Sequence, residues 1–258
     1  PTMAELYNKN MPGWMQDPTQ LSYAGKLSDE DLLEARRKNR KIFRELVKVS
    51  TGVQLEEDRL TIGFARRFAT YKRANLVFHD LEKLRQIGAG KIQFVFSGKA
   101  HPRDEGGKQL IRDIYGSAKH LEEEIPVAFL ENYDMETGLA ITSGVDIWLN
   151  NPVRPMEASG TSGMKAAMNG VPNCSILDGW WPEGCQHGVN GWAIGGPEDD
   201  RDDERDADNI YSVLENEVLP TWEKGGEIWA TIMRSSIATS ARFTGARMIS
   251  EYKRFYDA

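Results

Sequence analysis

The sequence predicts an α/β fold built on a Rossmann-like, doubly wound parallel sheet, and three observations carry that prediction. Between residues 60 and 177, short apolar runs alternate with helix-length segments, and crossovers of that length join parallel strands. The runs are apolar almost without interruption, as strands are when helices cover both sheet faces. At 258 residues, 40% hydrophobic and 28% charged, the chain has the material for a sizeable core and is not a disordered tail.

The first twenty-odd residues, with Pro12-Gly13 and Asp17-Pro18, read as loop with at most a short helix, and nothing in them nucleates a domain. Ser28-Asp29-Glu30-Asp31 is a capping-box start, in which the serine oxygen takes an amide of the first turn. It launches a helix to about Val49, with Leu32, Leu33, Ile42, Phe43, Leu46 and Val47 on its apolar stripe, and Thr51-Gly52 ends it. The alternation then gives strand Leu60–Ala65, helix Ala74–Ile87, strand Ile92–Ser97, helix Lys108–Glu123, strand Val127–Leu130, helix Met135–Ser143, strand Val145–Leu149, helix Ser162–Asn169 and strand Cys174–Leu177. From Asp206 onward the pattern is helical and closes on an amphipathic segment from Arg247 to Tyr256.

Composition removes several function classes. No apolar stretch approaches the roughly 18 residues of a membrane helix, and Pro1-Thr2-Met3-Ala4-Glu5 lacks the basic start and apolar run of a secretory signal. Cys174 and Cys185 are too few for a disulfide framework, so a reducing cytoplasm is the expected setting. His79, His101, His120 and His187 show no ligand spacing, and no metal is expected. Residues 198–208 (EDDRDDERDAD) hold eight acids and two arginines, six of the seven net negative charges. They read as a solvated loop or helix start, because the glycine of a calcium loop is absent. The basic run from Arg36 to Lys41 lies inside a helical pattern without interleaved aromatic residues, so it reads as an exposed helix face, and no nucleic-acid partner is expected.

Ligands of an open parallel sheet bind beyond the carboxyl ends of its strands. The first strand runs into Arg66-Arg67-Phe68-Ala69-Thr70-Tyr71-Lys72-Arg73, four cations in eight residues, which points to an anion, most simply phosphate. Ser97-Gly98-Lys99 after the second strand is not a phosphate-binding P-loop, and Tyr133 after the third reads equally as a core residue. The loop after the fourth strand runs from Asn150 to Lys165. Its small residues permit close backbone approach, Thr161 and Ser162 are able helix caps, and Glu157 and Lys165 either flank a site or pair with each other. No dinucleotide GxGxxG follows a strand, which counts against a nicotinamide dehydrogenase.

The segment Glu157-Ala158-Ser159-Gly160-Thr161-Ser162-Gly163-Met164-Lys165 resembles the pyridoxal-phosphate segment of α-glucan (glycogen, starch, maltodextrin) phosphorylases. The resemblance continues in colinear blocks at Arg67 to Arg73, Ser97 to Ala100, Phe129 to Tyr133, Asn169-Gly170 and Leu177-Asp178-Gly179. Pro152 to Met156 and Asp178-Gly179-Trp180-Trp181 are similar to the shorter bacterial and archaeal branch.

The resemblance implies a GT-B glycosyltransferase fold of which this chain is the C-terminal half. Residues 1–58 would join it from an N-terminal domain, 59–197 would form the cofactor- and phosphate-binding core, and 198–258 would be an acidic loop with packing helices. The same resemblance makes Lys165 the lysine that bonds pyridoxal phosphate, with Arg66, Tyr133, Thr161, Ser162 and Gly163 around the cofactor. Arg67 and Lys72 match the catalytic cations that bind the substrate and cofactor phosphates; Tyr71, Glu157, Ala158, Ser159 and Gly160 match positions at the transferred glucosyl unit. The implied reaction is reversible phosphorolysis of terminal α-1,4-glucosidic bonds to α-glucose 1-phosphate. The implied partners are α-1,4-glucan, inorganic phosphate and the N-terminal domain, and a homo-oligomer is compatible with them.

Two positions depart from the larger animal enzymes: Asp134 stands where an arginine is expected, with Arg154 as a replacement cation, and Gly163 replaces an asparagine. Two rival readings remain: a nucleotide-sugar glycosyltransferase of the same architecture, whose loop carries a second glutamate where this chain has Lys165, and a truncated sugar- or cofactor-binding domain without turnover.

Overall fold

Six parallel strands form one sheet in the order β3-β2-β1-β4-β5-β6 in the computed structural model, which describes residues 2–121, 124–196 and 201–256. The strands are β1 (Leu60–Ala65), β2 (Ile92–Ser97), β3 (Val127–Leu130), β4 (Ile147–Asn150), β5 (Asn173–Ile176) and β6 (Gly191–Ile194). This is the strand order of doubly wound sheets, and it reverses direction between β1 and β4. All six residues of β1 and all six of β2 are buried. Ile62, Phe64, Phe94 and Phe96 enter one apolar cluster while Ala65 and Val95 enter another. Alternate side chains therefore meet different helical layers, as the continuous apolar strands predict.

The helices are α1 (Thr2–Asn10), α2 (Asp29–Thr51), α3 (Leu81–Gly88), α4 (Glu105–Leu121), α5 (Met135–Gly144), α6 (Thr161–Met168), α7 (Trp181–Gly184), α8 (Asp203–Val213), α9 (Leu219–Lys224), α10 (Gly226–Ser240) and α11 (Gly245–Tyr256). Helix α2 starts and stops as its sequence dictates: Ser28 Oγ accepts the Asp31 amide at 3.1 Å, and Gly52 closes it at φ 75°. Its buried stripe differs from the expected one. Ile42 and Leu46 are exposed, whereas Arg36 and Asn39 are buried beside Leu32, Ala35, Phe43 and Val47. Arg36 donates to the carbonyls of Ser143 and Val145 at the end of α5 and sits 3.8 Å from Asp146. Asp146 in turn binds Arg40 at 3.0 Å and accepts the Thr61 amide at 3.0 Å, so a charge network shares the buried stripe with the expected Leu32, Phe43 and Val47. Burial pulls the Arg36 guanidinium down to about 10, which leaves it charged at neutral pH.

Four expectations need correction. The N-terminal segment is part of the core: Met3, Leu6, Tyr7, Met11, Leu21, Ala24 and Leu27 are buried in the same cluster as the sheet, and Tyr7 donates to the Met168 carbonyl at 2.6 Å. The helix expected over Ala74–Ile87 starts only at Leu81. Two 3₁₀ turns, Thr70–Lys72 and Leu76–Phe78, precede it, because Arg73 turns left-handed at φ 49° and Asp80 caps the helix through the Lys83 amide. Strand β6 was not foreseen, since Trp192-Ala193-Ile194 is too short a run to stand out. In the acidic segment, Glu198 to Asp200 lie outside the described residues; the expected helix start is present, with Asp202 capping α8, but Asp203 and Asp206 bind Arg73 instead of standing free in solvent. The helix expected to reach Glu123 is described as far as Leu121.

Candidate active site

The reversal of strand order opens the sheet at the carboxyl ends of β1 and β4, and both informative loops leave from there. Arg66 follows β1 directly. Its Nη1 donates to Asn150 Oδ1 at the end of β4 and lies 2.6 Å from Glu157 Oε2, while Nη2 donates to Ser162 Oγ at 2.9 Å. Lys72 Nζ binds the same Glu157 oxygen. Glu157, Arg66 and Lys72 are all buried, with side-chain exposures of 7–8%. Burial alone would push the Glu157 carboxyl up, but the Arg66 guanidinium and the Lys72 ammonium outweigh it and hold the carboxyl below its ordinary range.

Neighbouring strands set this cluster in place. Asn150 Nδ2 donates to Ser175 Oγ at 3.0 Å, and Ser175 donates to the Ile176 carbonyl at 2.7 Å, so a polar relay across β4 and β5 orients the amide oxygen that Arg66 uses. Asp178 accepts the Glu157 amide at 2.8 Å through one oxygen and the Gly179 amide at 2.8 Å through the other. Asn150, Ser175 and Asp178 were not singled out from sequence as functional groups. Their signal was present: buried polar residues at the ends of apolar strands must find partners.

The four cations of the first loop separate into different jobs. Arg73 is structural: its guanidinium donates to the carbonyls of Asn151 and Pro152 at 3.0 and 2.8 Å and binds Asp203 and Asp206 at 2.9 and 2.7 Å. Arg67 is exposed and has no hydrogen bond or ion pair among the described residues. Tyr71 is half-buried, with Lys72 Nζ 4.7 Å from its ring centre. The Ser97-Gly98-Lys99 turn braces this loop: Ser97 and Lys99 carbonyls accept the Arg66 and Phe68 amides at 3.1 and 2.9 Å. A Cβ on Gly98 would stand 1.9 Å from the Arg66 carbonyl oxygen, so glycine is required there by close backbone approach.

Helix α6 begins one residue earlier than expected, at Thr161, with Gly160 as its cap at φ 81°. Thr161 and Ser162 are therefore helical positions whose amides have no acceptor within the helix, and the Gly163 amide donates to Gly160. Gly163 faces inward: a Cβ there would lie 2.4 Å from Asn173 Oδ1 and 2.9 Å from Trp180 Nε1, which explains physically why this chain does not carry a larger residue. Lys165 is exposed and does not pair with Glu157. It opens on a groove of about 600 Å³ shared with Ala158, Ser159, Thr161, Met164 and Trp180, and α11 lines the far side.

Tyr133 lies just beyond the end of β3, half-buried against the apolar group that includes Ala65, Leu130 and Ala166. Asp134 caps α5 through the Thr137 amide at 2.8 Å and so takes a structural part where the arginine is expected after Tyr133, and Arg154 donates to the Gly196 carbonyl. A primary amine on an open groove, free amides at a helix start and a buried arginine whose Nε has no partner together suit a phosphorylated aldehyde cofactor. Among the described residues, no cluster of His, Cys, Asp or Glu could hold a metal, and no helix is long and apolar enough to cross a membrane.

Fold and site define an α/β domain of the doubly wound class with a buried cation–carboxylate cluster at its switch point. The chain belongs to the carbohydrate phosphorylase family, whose model matches residues 1–183. It is 46% identical over 252 residues to the maltodextrin phosphorylase of Thermococcus litoralis, an alignment covering 90% of this chain and 30% of that protein. It is 46% identical over 219 residues to the glycogen phosphorylase of Aquifex aeolicus, covering 81% of this chain and 32% of the relative. For the glycogen phosphorylase of Mycobacterium tuberculosis the identity is 41% over 212 residues, covering 77% and 24%. The chain thus spans about a third or less of the length of these relatives. The family is the one that the Glu157–Lys165 motif implied, and the six-stranded parallel sheet is consistent with the C-terminal domain of its GT-B fold.

Proposed function

We propose that this chain is the C-terminal catalytic domain of an α-1,4-glucan phosphorylase, acting in the cytoplasm on terminal glucosyl units of α-glucan with inorganic phosphate. The observation that carries the proposal is the juxtaposition at one sheet end of the Arg66–Glu157–Lys72 cluster and the start of α6, the helix that carries Lys165 into an open groove. Lys165 would hold pyridoxal phosphate. When bound, that cofactor supplies its 5′-phosphate as a proton partner to the substrate phosphate.

The protein's own part is to hold two anions side by side and to position the sugar. The amides of Thr161 and Ser162, the α6 dipole and Arg66 would balance one dianion. Arg67, which is exposed, would bind the other, with Lys72, held beside Arg66 on Glu157, between the two. Glu157 and the Ala158–Gly160 backbone, with Tyr71 opposite, would orient glucosyl hydroxyls, and Tyr133 would border the cofactor. The N-terminal domain of the same enzyme would supply the second wall of the cleft and exclude water. In this reading residues 59–197 are the core of the site, and 1–58 and 198–258 are the segments that frame it.

The test is an assay of the full-length enzyme, supplied with pyridoxal phosphate, for glucose 1-phosphate released from maltodextrin and phosphate, alongside glucosyl transfer from nucleotide sugars. Phosphate-dependent release without nucleotide-sugar transfer is expected. The reverse pattern would favour the rival glycosyltransferase, which the lysine at position 165 already disfavours, because it cannot accept hydrogen bonds from a donor ribose.

A further inference from the structure

We propose that Glu157 is an internal counter-anion: its carboxylate competes with external dianions for Arg66 and Lys72, so these cations take up a tetrahedral anion only when Glu157 lets go. The inference rests on the reading of this cluster as an anion site. One carboxylate oxygen of Glu157 engages both cations, at 2.6 Å from Arg66 Nη1 and in direct contact with Lys72 Nζ. All three side chains are nearly inaccessible to solvent. The position an incoming anion needs is therefore filled by an anion that the chain carries itself.

Charge counting makes the competition steep. Two cations and one carboxylate leave the cluster with a single positive charge, and a dianion added to it would lie against a buried like charge. With the carboxylate turned away, the same dianion meets two unopposed cations. The backbone of Glu157 is not free to carry the group off: Asp178 holds its amide at 2.8 Å, and the Trp180 amide holds the Ser159 carbonyl at 2.9 Å. Release must come from rotation of the Glu157 side chain, and the carboxylate assigned to a sugar hydroxyl is the same one that guards the anion site.

Sulfate tests this directly, since it stays a dianion across neutral pH. Isothermal titration of the 258-residue chain with sodium sulfate at constant ionic strength should show Glu157→Gln binding roughly tenfold or more tighter than wild type, the size expected for one charge-assisted contact. The gain should disappear in the Lys72→Met/Glu157→Gln double variant. Unchanged or weaker binding by folded Glu157→Gln, with wild-type binding intact, would overturn the counter-anion role and leave the anion site standing; no sulfate binding by either chain would overturn both. Circular dichroism establishes whether the single variant folds. If it does not, the carboxyl carbon resonance of Glu157 in the labelled wild-type chain decides: it should move on sulfate titration, and a stationary resonance while sulfate binds would refute displacement.

Discussion

Arg66 and Glu157, 91 residues apart, meet at 2.6 Å where the first and fourth strands diverge. Their contact ties together the two loops that any ligand of the switch point must touch, and it does so inside the protein rather than in solvent. A buried pair of this kind is costly to break from one side only, because the remaining charge keeps no adequate partner. Glu157 answers to two cations, so the consequences of removing each one differ from those of removing the carboxylate.

Lys72→Ala and Arg67→Ala should therefore separate. Lys72 is buried against Glu157, and its loss should lower unfolding stability by about 1–3 kcal/mol; Arg67 is exposed, and its loss should leave the urea midpoint near wild type. In the full-length enzyme both should raise the phosphate concentration needed for half-maximal rate. Phosphate kinetics near wild type for Arg67→Ala would make it an ordinary surface residue.

Acid should weaken the fold through Glu157 in a definite direction. Its carboxyl titrates below its ordinary value near 4.5, so its stabilising effect is fully present above that pH and is lost as pH falls through the lower, folded value. Urea unfolding of wild type and Glu157→Gln between pH 7 and 3 should show a stability gap that narrows below about pH 4.5. Parallel curves over the whole range would mean that the cations do not hold the carboxylate charged.

Gly163→Asn, the residue expected in the larger animal enzymes, should be destabilising here. Its Cβ would meet Asn173 and Trp180, and forcing those groups apart typically costs about 1–3 kcal/mol. A thermal midpoint equal to wild type would show that the Asn173 and Trp180 side chains shift freely.

Much of the architecture was legible because the physics behind it is local. Ser28 and Gly52 announce the ends of α2, and the unbroken apolar runs of β1 and β2 announce a sheet covered on both faces. What stayed hidden depends on distant partners. Ile42 and Leu46 belong to the helix pattern, yet Arg36 and Asn39 are buried beside Leu32, Phe43 and Val47 in their place, Arg36 because its carbonyl acceptors and Asp146 lie more than a hundred residues away. Tyr7 looked like part of a loop because its acceptor, Met168, is 161 residues distant. Arg66, Lys72 and Glu157 were all named through the family resemblance, but nothing in their spacing says that the carboxylate rests on the cations, or that Arg73 is diverted to Asp203 and Asp206.

Folding and turnover should part company in this chain. The shared core of α1, α2 and the sheet should give one cooperative unfolding transition, while the purified chain, which in the proposed function supplies one wall of the cleft, should form no glucose 1-phosphate from maltodextrin and phosphate. Tyr7→Phe, which strands the Met168 carbonyl, should lower the unfolding stability by about 1 kcal/mol. Robust turnover by the monomer would contradict the half-cleft account, and a non-cooperative transition would contradict the shared core.

The most direct test of the central claim is peptide mapping after borohydride reduction of the enzyme incubated with pyridoxal phosphate. A stable pyridoxyl group is expected on the peptide containing Lys165, with the associated near-ultraviolet band, and it should be lost in Lys165→Ala. A pyridoxyl group fixed on another lysine, or none on the full-length enzyme at saturating cofactor, would contradict it.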